Sequence, residues 1–255
     1  MEKIKKTNAK IEKIYRHHDE HFFIIETPEH RVRDLYPWEM GTIGNFARIT
    51  KEFFRCNGNG VNTPLIEGKG EKKTYYHDCN GKETHSLPLR AGKEFIYPIL
   101  IDLLNFIQTK TKKRVIITTG HRCPLHNAYA DRSAFNQTSK HLIGAEVDFY
   151  VEGMEKTPLK VVEWVMQFYK ETEAYAGNKE YEQFLRYDKS DTNVSTMPWY
   201  NKEIFIKLFK ETEGRDLDNQ HPYPYLSLQV RYDRDQKEKV IYTWEKAFKG
   251  YLRSS

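Results

Sequence analysis

The sequence predicts an α+β domain, a small and mostly antiparallel sheet flanked by helices, behind an N-terminal extension. Three observations carry this. Phe95, Ile99, Leu103 and Phe106 recur at helical spacing, and Ile96 and Leu100 widen that stripe into a buriable face. Arg114-Val-Ile-Ile-Thr-Thr119 is a β-branched run closed by Gly120, which reads as a strand. Ala145-Glu-Val-Asp-Phe-Tyr-Val151 alternates with a period of two. Helices interleaved with a few strands define the class.

The remaining elements follow in order. Residues 1–20 read as a charged helix packed on the outside. Phe22-Phe-Ile-Ile25 gives way to Pro, Gly and Asn punctuation as far as Ser86-Leu-Pro-Leu-Arg90. Residues 1–90 are therefore read as an irregular extension wrapping the core, and residues 91–255 as the domain itself. Pro124 to Ala130 suits a short helix. In the alternating run, Ala145, Val147, Phe149 and Val151 share one face, while Glu146, Asp148 and Tyr150 share the other. Thr157-Pro158 is an N-cap followed by proline at the first helical position, opening a helix that carries Val161, Val162, Val165 and Phe168. A further helix is predicted from about Asn201 to Glu213, with Ile204, Phe205, Leu208 and Phe209 inward. Tyr225 to Asp233 alternates as a strand, with Lys239 to Thr243 as its hairpin partner.

Composition narrows the function classes. The 255 residues carry 41 Lys+Arg against 36 Asp+Glu, a net charge of +5 spread along the chain. Without a basic stripe interleaved with aromatics, nucleic acid is not the expected partner. No apolar run approaches the roughly 18 residues of a spanning helix, so no transmembrane segment is expected. The segment Met1 to Lys10 is charged throughout and is not an intact signal peptide. The protein is thus expected in the cytoplasm, or in the periplasm or cell envelope if a signal has been removed. Cys56 and Cys79 both stand in Cys-Asn-Gly, and Cys123 lies elsewhere. The first two are either a disulfide pair or two unpaired surface thiols; with no CxxC, their spacing does not suggest zinc.

Chemistry concentrates in three segments: Thr119-Gly-His-Arg-Cys-Pro-Leu-His-Asn127, Ser139-Lys-His-Leu-Ile-Gly-Ala-Glu-Val-Asp148 and Asp218-Asn-Gln-His-Pro-Tyr223. In the second, His141 lies in a loop and Asp148 in a strand, with Gly144 free to turn one back over the other. Imidazole plus carboxylate suits zinc with an open coordination position. On spacing alone, the plainer account of a turn histidine and a surface carboxylate stands ahead, since single His…Asp pairs are common.

Taken together, Gly120-His-Arg122 and Ser139-x-His141-x-x-Gly144-x-x-x-Asp148, over about residues 92–235, resemble the zinc metallopeptidases that include D-alanyl-D-alanine carboxypeptidases and dipeptidases and L-alanyl-D-glutamate endopeptidases. These share the fold of the hedgehog signalling domain. The resemblance implies zinc held by His141, Asp148 and a later histidine, and a metal-activated water that attacks an amide of peptidoglycan stem peptides. Asp218-x-x-His221 has the form of the third element, with His221 as third ligand and Asp218 as general base. Arg122 would orient the substrate or stabilise the oxyanion, and Ser139 and Tyr223 would line the substrate groove. His121 stands where the family often has an aromatic, and His126 is either a second-layer contact or a satisfied buried histidine.

Two registers remain open for the third element. Pro222 and Pro224 follow His221 directly, and proline is tolerated only at a strand's start or edge. If instead Tyr225-Leu-Ser-Leu-Gln229 is the facing strand, Ser227 and Gln229 stand where histidine belongs. The chain would then be a non-catalytic member of the fold with an incomplete metal site, binding peptidoglycan or a protein partner.

Overall fold

The computed structural model describes residues 42–43, 46–81, 85–133, 137–188, 190 and 192–249. The helix read over residues 1–20 and the Phe22–Ile25 run lie outside the described residues. All those described belong to one compact unit, Gly41–Ser255.

Helix α1 spans Pro98–Thr111, starting where proline needs no amide partner and ending at Lys112 in the left-handed conformation (φ 54°). Its Leu100, Leu103, Leu104 and Ile107 are fully buried. Strand β1 is Val115–Thr119 and helix α2 is Pro124–Ala130. Strand β2 is Glu146–Val151 and helix α3 is Pro158–Glu171. Thr157 precedes α3 as expected, but its hydroxyl donates to the Met154 carbonyl and caps no helix amide. A short helix α4, Lys179–Glu182, leads into strands β3 (Leu185–Arg186), β4 (Trp199–Tyr200), β5 (Ile204–Phe209) and β6 (Tyr225–Val230).

The six strands form one sheet in the order β1-β2-β6-β5-β4-β3, antiparallel throughout. Its apolar face is built from aligned rows such as Val147↔Leu228↔Ile206 and Phe149↔Leu226↔Leu208. That face joins α1 and α3 in the core, where Phe106 and Phe168 meet edge to face at 5.3 Å. The opposite face carries the row Thr119↔Asp148↔Ser227↔Lys207, with Glu146↔Gln229↔Phe205 beside it.

Strand β5 corrects the helix expected from Asn201 to Glu213. Ile204 and Ile206 are wholly buried and Leu208 nearly so, while Phe205 and Lys207 between them are half-buried. The pairs 204/208 and 205/209 satisfy a helical period equally well. The six-residue ladder with β6 decides for the strand. The expected long strand at Tyr225–Asp233 breaks after Val230, and Tyr232–Asp233 pairs with Glu238–Lys239 in a separate hairpin.

Residues 42–94 hold three two-stranded ladders among those described: Thr42–Ile43 with Phe46–Ala47, Leu65–Glu67 with Thr74–Tyr76, and Leu89–Arg90 with Lys93–Glu94. Ile49, Phe54 and Leu87 belong to the main core. The Phe54 carbonyl accepts from the His121 amide at 2.7 Å. A side chain at Gly120 would stand 2.6 Å from the Phe54 backbone, so this close approach requires glycine.

Candidate metal and substrate site

Ser139 begins a tight turn, Lys140–Ile143, by accepting the His141 amide on its hydroxyl, and Gly144 ends it with φ 67°. The chain thereby doubles back and sets His141 above β2. His141 Nε2 lies 3.5 Å from Asp148 Oδ2 and 3.8 Å from Glu146 Oε1. His141 Nδ1 is 2.7 Å from the Gly120 carbonyl, to which it donates. That bond points Nε2 at the two carboxylates, so that its lone pair is presented there once the ring is neutral. All three side chains are buried. Burial disfavours the imidazolium, yet Glu146 and then Asp148 outweigh it and raise His141 to about 9. Burial likewise opposes the Glu146 charge, but His141 and Lys207 hold that carboxyl well below its usual range.

His221, expected as the third ligand, is not among the donor atoms that gather with His141 and Asp148. His221 packs against Tyr150 at 5.0 Å, Tyr225 at 5.6 Å and Tyr223 at 6.1 Å between ring centres. Both its ring nitrogens lack hydrogen-bond partners. Pro222 and Pro224 keep this segment out of the ladder, which starts at Tyr225. Strand β6 therefore sets Ser227 opposite Asp148 and Gln229 opposite Glu146. Ser227 Oγ and Gln229 Nε2 both donate to Glu146 Oε1, at 2.8 and 2.6 Å. Tyr223 flanks His221 and Tyr150, and does not line the groove beside His141.

Asp218 and Arg122 also depart from their expected roles. Asp218 accepts from Arg122 Nε at 2.7 Å and from His126 Nε2 at 3.0 Å. These two partners hold its carboxyl well below the usual range despite burial. Arg122 is 2% exposed and also reaches Asp216 Oδ2 at 2.7 Å and Thr119 Oγ1 at 3.3 Å. Its Nε and Nη2 are engaged by the two aspartates, so Arg122 is a buried ion-pair partner at the edge of the cleft. His126 is a satisfied buried histidine that bridges Asp218 and Asp78, the latter at 2.7 Å. His121 is sealed from solvent with both ring nitrogens unpartnered, and burial lowers it to about 3.

A cavity of about 660 Å³ opens over the polar face of the sheet. His141, Glu146, Asp148, Ser227 and Gln229 form its floor, with Ser139, Lys140, Lys207, Arg132, Arg215 and Asp216 around it. Burial lowers Lys140 to about 8.

Two residues that sequence reasoning passed over matter here. Glu146 shares the Asp148 face through the strand period, and that alternation was the signal for it. Asn219 is fully buried and donates to Asp148 Oδ2 at 3.0 Å, fixing the carboxylate. Nothing in the sequence pattern marks it. The ligand atoms of His141, Glu146 and Asp148 all lie within 4.8 Å of one another, as a shared cation requires.

A second convergence corrects the reading of the cysteines. Cys56, Cys79 and Cys123 are free thiols, all buried, and their sulfurs gather with a His85 ring nitrogen within 4.8 Å of one another. The donors come from separate segments, which is why no CxxC announces them. No described helix is long and apolar enough to cross a membrane. Comparison with protein-family models, with curated proteins and with solved structures gave no match.

Proposed function

We propose that the chain is a zinc-dependent peptidase acting on peptidoglycan stem peptides, with Glu146 in the ligand place expected for His221. The convergence of His141, Glu146 and Asp148 on the cleft floor carries this reading. The donors suit a divalent cation: one imidazole fixed as an Nε2 ligand, and two carboxylates. Asp148 Oδ1 is buried without a hydrogen-bond partner, as a ligand oxygen awaiting a cation would be. A metal there would supply Lewis-acid polarisation of a carbonyl and a lowered pKa for water. Gly120 and Asn219 orient His141 and Asp148, while Ser227 and Gln229 orient Glu146. Arg132, Lys140 and Lys207 line the cleft and offer positive charge to a substrate rich in carboxylates, as stem peptides are.

A second reading is favoured by a specific observation. Asp218, expected as the base, is locked between Arg122 and His126, and Glu146 already accepts two hydrogen bonds. A cleft that binds stem peptides without cutting them has those properties. Incubating the zinc-loaded protein with purified muropeptides and following products by mass spectrometry separates the two. Cleavage abolished by His141→Ala supports the peptidase. Saturable binding without cleavage supports the second reading, and neither binding nor cleavage rejects both.

A further inference from the structure

We infer that Cys56, Cys79, His85 and Cys123 form a closed structural zinc site, independent of the cleft and of its proposed chemistry. Cys56 Sγ and Cys79 Sγ are 3.9 Å apart. Four-coordinate zinc with Zn–S bonds of about 2.3 Å holds its sulfurs about 3.8 Å apart. Three thiols and one imidazole are a complete structural donor set, with no position left for substrate. The surroundings are built for thiolates. Gly81 N–H donates to Cys79 Sγ at 3.3 Å, and His126 N–H donates to Cys123 Sγ at 3.4 Å.

Backbone spacing fits the same purpose. A side chain at Gly58 would stand 2.1 Å from Cys79 Sγ, and Gly81 adopts φ 81°. Both Cys-Asn-Gly segments therefore turn tightly over the sulfurs. On binding, the thiols release their protons to solvent and His85 ligates as neutral imidazole. The metal would clamp Cys56, Cys79 and His85 onto the start of α2, next to Arg122.

The test uses the full chain, purified under reducing conditions. Expected is one equivalent of zinc that survives substitution of both His141→Ala and Asp148→Asn and is lost in Cys79→Ser. Replacing zinc by cobalt in the unsubstituted protein should give sulfur-to-cobalt charge-transfer absorption, which the His141 site cannot produce. A thiol reagent should modify no cysteine until a chelator is added, and then all three. Absence of the charge-transfer band in cobalt-loaded native protein would overturn the inference, even if Cys79→Ser failed to fold. So would immediate modification of the thiols in the zinc-treated native protein, or a Cys56–Cys79 disulfide in protein that binds no thiolate-held metal.

Discussion

Arg122 illustrates how burial decides a residue's role. Removing a guanidinium held between Asp216 and Asp218 with almost no exposure takes the cationic partner from Asp216 and leaves Asp218 with His126 alone. Arg122→Met is therefore expected to cost about 3–5 kcal/mol of stability in urea denaturation. An arginine kept for substrate would leave stability nearly unchanged. Glu203 gives a pH signature elsewhere in the molecule. It is 2% exposed, and its Oε2 has no hydrogen-bond partner. Burial lifts the carboxyl to about 7, against the Tyr175 hydroxyl that favours the charge. The folded pKa lies above the unfolded one, so its contribution is fully present below about 4.5 and is lost as pH rises through 7. The loss is on the order of 3 kcal/mol. Glu203→Gln should flatten that part of the stability profile and leave the protein more stable than the parent at pH 8. A profile unchanged by the substitution would assign the slope to other groups.

At the scale of elements, strand β5 tests the architecture. In the observed strand, Ile206 faces the core and Phe205 the half-open side; in the expected helix, Phe205 would be inward. Ile206→Ala should cost about 2–5 kcal/mol, and Phe205→Ala clearly less, in parallel denaturation curves. Equal costs would favour the helix. The same element marks the limit of what the sequence reveals. Helices α1 and α3 and strand β2 were legible from one clear period, strand β1 from a β-branched run closed by glycine, and α2 from its proline start. Residues 204–209 fit both periods, and only pairing with β6 resolves them. The His141–Asp148 pair was legible because one turn and one strand bring it together locally. The third donor and the four-donor cysteine cluster were not, since they depend on strand register and on contacts between distant segments. Glu146 lay in plain view on the Asp148 face, but its carboxylate matters only because Ser227 and Gln229 aim it at His141.

Across the described molecule, the two donor clusters are joined by a continuous buried polar chain. Asp78, next to Cys79, holds His126; His126 holds Asp218; Arg122 links Asp218 to Asp216; and Asn219 links Asp216 to Asp148. Each carboxylate in it is positioned by groups from at least two segments, so the strand-end loops, α2 and residues 56–85 stabilise one another. Such a chain should behave as a unit. The side chains of His126 and Arg122 both rest on Asp218, which makes them the pair to perturb. His126→Ala and Arg122→Met, measured singly and together by urea denaturation, are expected to be non-additive by about 0.5–3 kcal/mol. The double substitution should depart from the sum of the two single costs, because both side chains compensate the same carboxylate and only the double change removes both partners. Additivity within about 0.5 kcal/mol would mean that the two partners act independently on Asp218 and that the chain is no cooperative network.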